Sequence, residues 1–382
     1  MTRHLPWSLC VAVLSAAALV PIAGQAPAPR RNVIVFVADG LRHGSVNAKD
    51  TPALWTVRTK GVHFENSHSV FPTFTLANAS AIATGHFLGD TGVFSNTIRP
   101  GFAMFDTGNF NLITGTPVPF MENDEVLADI DDHFGGSFLG SDTFLSTARA
   151  HGYRTAAIGK LGPAAMQDVA AIEPQNRMFP ANLPGIIVDD ETGTRGGLPL
   201  PQDLAYQMTL AGAAPAAPAR TNGYEPSSPY SNGFSGGTLA PNTVQQDWFI
   251  DMATRWVLPS LTKDASAPFA MVFWSRDPDG TQHNNGDSLG TLYPGINGPT
   301  SIAGVRNADR ALQRLLDWLD AHPDIKANTD VFVTSDHGFA TVSRREIDRT
   351  GRATASQAAR HEYVDAAGEV DTHPGTLPTG FL

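Results

Sequence analysis

Cysteine is almost missing from this chain: Cys10 is the single one among 382 residues. It lies inside the N-terminal apolar run rather than at its end, which argues against a lipid anchor. A mature chain that has shed this run has no cysteine, hence no disulfide and no thiolate metal site. Charge is also sparse at 16%, and 37 acidic against 26 basic residues leave a formal net charge of −11. That balance argues against a general nucleic-acid-binding surface. It leaves phosphate substrates open, because bound cations invert the local field. Long hydrophobic runs are missing too. Residues 9–20 (LCVAVLSAAALV) are too short for a bilayer span of about 20 residues. Following Arg3 and His4 and preceding the small residues 23–28, they read as the apolar part of a secretory signal. Residues 1–28 are therefore expected to be a signal peptide, with no membrane span after its removal and a periplasmic or secreted address.

The hydrophobic fraction of 42% is ample for a buried core. Residues 33–38 are a β-branched run, read as a buried parallel strand. Residues 76–84 are Ala-rich with Gly85 as a stop, a helix directly after Thr75. A helix around 142–151 precedes a short strand at 154–158. Helical spacing over 245–261 leads to a strand at 269–274. An amphipathic helix over 302–319, with Val305, Ala308, Leu312, Leu315, Leu316 and Leu319 on its apolar face, feeds a strand at 330–335. This alternation predicts an α/β fold: a mostly parallel central sheet with helices on both faces. Residues 171–243, rich in Pro, Gly, Ala and Asn, read as a loop-rich insertion, with 211–219 a linker by composition. There are no internal repeats.

Four polar clusters, far apart in sequence, follow apolar runs or sit in Gly-rich turns. They are Asp39 after NVIVFVA, Thr75 in FPTFTLANAS, Asp279 with His283 after FAMVFW, and Asp336–His337 after VFVTS. Strands that end in Asp place carboxylates and imidazoles along one sheet edge, where open α/β sheets bind ligands. Three Asp, two His and a hydroxyl are hard O/N ligands for divalent metals. A hydroxyl becomes a useful nucleophile when a metal lowers its pKa, and a helix start adds N–H groups that favour phosphate. Taken alone, Thr75 reads as a helix N-cap. Asp279 and His283 sit in PDGTQHNNG, which reads as a loop rather than a helical i, i+4 pair. Asp131–Asp132–His133 and Asp189–Asp190–Glu191 read as solvated turns.

Taken in order, V-A-D-G-L-R, P-T-F-T-L-A-N, A-T-G-H, P-D-G-T-Q-H and T-S-D-H-G-F resemble the alkaline phosphatase superfamily. The closest branch is its type I phosphodiesterase/nucleotide pyrophosphatase family. That resemblance implies an alkaline phosphatase-like catalytic domain over residues 29–382 and two Zn2+ ions. It implies Thr75 as a nucleophile carrying a covalent phosphoryl or nucleotidyl group. It also implies one zinc held by Asp39, Thr75, Asp336 and His337, and Asp279 and His283 on the other. Asn96, in GVFSNT, falls at the family position that hydrogen-bonds a phosphate oxygen. The implied partner is a small-molecule phosphate ester.

Two departures stand out. Residues 75–79 read T-L-A-N-A, where eukaryotic nucleotide pyrophosphatases read T-F-P-N-H, which turns the resemblance toward bacterial members. The family also supplies a third ligand to the second zinc, a histidine in an H-G context well downstream. Here 44 residues follow Gly338, and neither His361 nor His373 has that context. The expectation is a domain incomplete at its C-terminal end with a depleted second zinc site. The leading reading is a metal-dependent hydrolase of phosphodiester or pyrophosphate bonds. Its alternatives are a phosphomonoesterase or phosphonate hydrolase on the same scaffold, or an inactive metal-binding fragment. No Cys/Ser-x-Pro-x-Arg segment exists to make the formylglycine of a sulfatase.

Overall fold

Five strands form the central sheet: β1 (Asn32–Ala38), β2 (Arg154–Gly159), β3 (Ile186–Val188), β4 (Phe269–Ser275) and β5 (Thr329–Thr334). Their order is β3-β2-β4-β1-β5, every pairing parallel. The structure, a computed structural model, describes residues 30–98, 102, 119–172, 183–194, 196–219, 240–283 and 295–340. It also describes the backbone of short strands at 224–225, 237–238, 344–347, 353–356, 360–364 and 370–374. The expected signal peptide and Cys10 lie outside the described residues. The chain divides into Met1–Arg30 and Arg31–Leu382, and the whole sheet belongs to the second unit.

Side chains alternate between the faces of the sheet, as a strand period of two requires. Ile34 and Phe36 of β1, Ile158 of β2 and Met271 and Phe273 of β4 enter one apolar layer. Helix residues Phe249, Ile250, Leu312 and Leu315 complete that layer. Val37, Ala157, Val272 and Trp274 enter the opposite layer, beneath Leu76, Ala79, Val126, Leu127 and Ile130. Every residue of β4 is buried, as befits the middle strand of a sheet covered on both sides.

The helices follow the sequence pattern closely. Helix α1 (Thr75–Thr84) ends on Gly85, whose φ of +73° gives a left-handed C-cap. A helix at Phe144–Ala150 is capped by Thr143, whose Oγ1 accepts from the Ser146 amide at 3.1 Å. The long helix at Pro299–Asp320 begins with proline at its first position and buries Val305, Ala308, Leu312, Leu315 and Leu319. Among the described residues no helix is long and apolar enough to cross a membrane.

Three readings need correction. The stretch 171–243 supplies the edge strand β3 and a helix at Gln202–Leu210, so it belongs in part to the core. Its three apolar strand residues are too few to signal themselves among the surrounding prolines and glycines. Asp131, Asp132 and His133 are not a loop but the last turn of helix α2 (Asp124–His133), which opens on an Asn123 cap. Asp131 is fully buried and accepts from the Phe138 amide at 2.9 Å. Asp189 is likewise fully buried rather than solvated. Its Oδ1 accepts from the Glu191 amide at 3.0 Å and from the Thr192 hydroxyl at 3.3 Å.

Candidate active site

The parallel register sets β1, β4 and β5 side by side, so the residues after their last turns meet at one edge. The Asp39 amide donates to Ser275 O at 3.1 Å, and the Asp279 amide donates to Asp39 O at 2.9 Å. Gly40, at φ +70°, permits this meeting: a Cβ there would stand 3.0 Å from the Asp279 Cβ. Asp39, Asp279, Asp336, His337 and Thr75 are all buried.

Thr75 is the first residue of α1, and Phe74 occupies the cap position, so Thr75 Oγ1 does not cap its own helix. It lies 3.2 Å from His337 Nε2. The Leu76 amide, an orphan donor of the first turn, donates to Asn96 Oδ1 at 3.0 Å. Asn96 is thereby fixed beside Thr75.

Asp279 and His283 occupy a single helical turn, correcting the loop reading. Asp279–Gln282 is helical and the His283 amide donates to Asp279 O at 3.0 Å. His283 Nε2 therefore reaches Asp279 Oδ1 at 3.1 Å as a helical i, i+4 pair.

The oxygens of the cluster divide into two sets. Asp336 Oδ1 accepts from the amides of Gly40 at 3.0 Å and His337 at 2.9 Å. Asp39 Oδ2 accepts from Trp274 Nε1 at 2.9 Å. The other oxygens, Asp39 Oδ1, Asp279 Oδ1 and Asp336 Oδ2, are buried without a well-formed hydrogen bond. All three face His337 Nε2, at 3.5, 4.0 and 3.4 Å. The His337 Nδ1 contact with Gly338 O at 2.7 Å fits a donated proton, which leaves the Nε2 lone pair toward these oxygens. Buried anions facing a lone pair call for a cation between them. Among the described residues, Asp39, Asp336 and His337 are the one group of three such side chains close enough to hold a metal ion. Carboxylate, imidazole and hydroxyl donors fit a zinc-like ion.

Lys160 escapes the sequence reading. It follows β2 directly, on the same sheet edge, and is buried. Its Nζ lies 3.0 Å from both Asp39 Oδ2 and Asp279 Oδ2, 3.3 Å from Thr75 Oγ1 and 3.8 Å from Glu122 Oε1. Gly159 fixes its position. At φ +135°, a Cβ there would fall 1.9 Å from Trp274 O, the carbonyl that accepts the Lys160 amide at 3.0 Å. Asp190 holds the next residue, accepting from the Leu161 amide at 2.9 Å and from Arg276 Nη2 at 2.6 Å. The sequence does carry a signal, since the strand RTAAI also ends in Gly-Lys.

The electrostatics follow the packing. Burial, joined by the Asp39 charge, pushes Asp336 well above the usual carboxylate range. Burial would also raise Asp279, yet His283 and Lys160 hold it well below that range. Burial opposes the Lys160 ammonium, but Asp279, Asp39 and Glu122 hold its pKa above the ordinary lysine value. The Asp279 charge raises His283.

The second zinc set expected from sequence is not assembled among the described side chains, where Asp279 and His283 stand together without a third ligand. His361 and His373 are Cα partners across an antiparallel strand pair, and their side chains lie outside the described residues.

The sequence matches a family model described as type I phosphodiesterase / nucleotide pyrophosphatase over residues 33–369. No curated protein matches it. Among solved structures, one similar to it is murine ectonucleotide pyrophosphatase / phosphodiesterase 5 in an inactive form with AMP. It is 17% identical, with a TM-score of 0.44, over 82% of this chain and 59% of that one. Phosphonoacetate hydrolase from Sinorhizobium meliloti 1021 with phosphonoformate is also 17% identical, TM-score 0.44, over 83% and 58%. The 2-O GAG sulfatase BT1596 is 14% identical, TM-score 0.43, over 81% and 58%. The chain thus spans about three-fifths of the length of these structures.

Proposed function

The chain belongs to the type I phosphodiesterase / nucleotide pyrophosphatase family, and from that premise we propose that it hydrolyses phosphodiester or pyrophosphate bonds through a covalent intermediate on Thr75. The observation that carries this reading is the set of unsatisfied atoms around the hydroxyl. Asp39 Oδ1, Asp279 Oδ1 and Asp336 Oδ2 are buried without a well-formed hydrogen bond near His337 Nε2, which lies 3.2 Å from Thr75 Oγ1. Asp39, Asp336, His337 and Thr75 would hold a divalent cation, zinc by donor type. When bound, such an ion lowers the pKa of a coordinated hydroxyl and neutralises phosphate oxygens.

The chain's own groups divide the remaining work. Thr75 Oγ1 gives up its proton to solvent and forms a bond to phosphorus as the bond to the leaving oxygen breaks, and that oxygen takes a proton from solvent. Water then attacks phosphorus, the bond to Oγ1 breaks, and Thr75 regains its proton. Asn96, its Oδ1 engaged by the Leu76 amide, has its Nδ2 group to donate to a phosphate oxygen. Trp274 and the Gly40 amide hold Asp39 and Asp336 in place, the kind of support that keeps ligand geometry fixed.

The test is hydrolysis of bis-p-nitrophenyl phosphate by the wild type and by Thr75→Ala. Loss of hydrolysis in the variant is expected, and turnover that persists unchanged refutes Thr75 as nucleophile.

A further inference from the structure

We propose that this site takes a single divalent cation and that the Lys160 ammonium serves as its second positive centre. The inference builds on the metal site of the proposed hydrolase and concerns the number of ions, which that function leaves open. It departs from the two-ion expectation drawn from the family resemblance.

Which carboxylate oxygens are already engaged decides how many ions the cluster can take. Lys160 Nζ stands 3.0 Å from Asp39 Oδ2 and 3.0 Å from Asp279 Oδ2, bridging the carboxylates that two ions would have to share. Asp39 Oδ2 also takes the indole proton of Trp274 at 2.9 Å. On that side of the cluster no carboxylate oxygen is left over. On the other side Asp39 Oδ1, Asp279 Oδ1 and Asp336 Oδ2 all lack a well-formed hydrogen bond. Among the described residues, the structure thus separates a face where Lys160 meets the anions from a face where, apart from His283 at 3.1 Å from Asp279 Oδ1, no protein cation meets them.

A second ion beside Asp279 would face the ammonium across one carboxylate, and like charges at such range repel strongly in a buried site. The described donors left for that second ion are Asp279 Oδ1 and His283 Nε2, two where closed zinc sites use four and catalytic sites three.

Lys160 is also built in rather than loosely placed. It is 4% exposed, its amide is tied to Trp274 O, and a side chain at Gly159 would collide with that carbonyl. Its Nζ donates to Thr75 Oγ1 at 3.3 Å, so it touches the reacting atom. There it does what a second ion does, stabilising negative charge as it develops on or leaves that oxygen.

The test is isothermal titration of the metal-stripped full chain with zinc, with metal content after gel filtration as a second count. One tight site per chain is expected for the wild type. Two sites of comparable affinity, or none, overturn the proposal. Lys160→Ala should admit a second ion, and a count that stays at one with unchanged affinity overturns the role given to Lys160. Lys160→Arg keeps the charge and should keep the count at one; two ions there overturn the proposal equally. Should the alanine variant fail to fold, the wild-type and arginine counts decide. None of these counts depends on hydrolysis, so loss of the Thr75 reading leaves them interpretable.

Discussion

Asp39 and Asp279 are buried around an ammonium, with Asp336 in the same cluster, whereas Asp124 and Asp189, buried as completely, neighbour one another with no cation beside them among the described residues. Asp189 follows β3 and Asp124 opens α2, so both clusters grow from strand ends and helix starts. Their neutralisation differs. Burial and the neighbouring charges of Asp189 and Glu191 push Asp124 well above the usual carboxylate range. Burial and Asp190 push Asp189 up to about 7. Two neighbouring buried carboxyl groups raised in this way are expected to share a proton. The first cluster sets Lys160 against Asp39 and Asp279 and holds oxygens ready for a cation. The second is expected to hold a proton between its acids, tying α2 to the sheet. Burial of acids is therefore no sign of function by itself; what matters is which counter-charge the fold supplies.

The largest effect that would sharpen this contrast is expected at Thr75. Thr75→Ala should lower turnover of bis-p-nitrophenyl phosphate on the order of 10³-fold or more, while leaving one zinc site measurable by titration. Next, Asp336→Asn should weaken zinc by at least about 100-fold, because a ligand is lost rather than one of its supports. The corresponding change in the other cluster, Asp124→Asn, should leave zinc affinity unchanged. A drop there would break the division between the clusters. With one zinc per chain, Lys160→Ala should cost about 100-fold in kcat, the scale of removing one donor from a developing charge.

The smallest effect is a pH-dependent shift in stability. The folded-state pKa of Asp189, about 7, lies above an unfolded value near 3.9. Between about pH 4 and 7 the folded chain holds more protons than the unfolded one, so stability falls as pH rises through that window. Asp124→Asn replaces the shared proton with a permanent donor. Its Tm should exceed that of the wild type by about 2 °C at pH 8, with the gap narrowing toward pH 5. An equal Tm for both proteins at pH 8 rules the shared proton out.

Much of the site is legible in the sequence because each of its acids follows a long apolar run. VIVFVA before Asp39, FAMVFW before Asp279 and VFVTS before Asp336 announce buried strands, and a parallel sheet brings their ends together. The residues that escape are those whose role depends on what lies across the sheet. Lys160 follows a strand that the sequence does announce, but a lone lysine after Gly159 carries no site signature, and its meaning appears only once Asp39 and Asp279 are seen on either side of its ammonium. Asp189 reads as solvated because its neighbours include Gly and Thr, residues typical of loops. The pairing with Asp124, 65 positions earlier, has no local trace. The His283 turn misleads for a related reason: Gly280 lowers helix propensity, yet the Asp279–His283 contact and the buried surroundings close one turn regardless.

The role given to this whole cluster turns on Thr75 becoming covalently bonded to phosphorus. Acid-quenching the zinc-loaded protein during turnover of bis-p-nitrophenyl phosphate, followed by peptide mass mapping, reads that bond directly. A phosphate-bearing adduct is expected on the peptide containing Thr75, absent without substrate and absent from Thr75→Ala. An adduct on another residue, or sustained turnover with no adduct on Thr75 at any quench time, would contradict it.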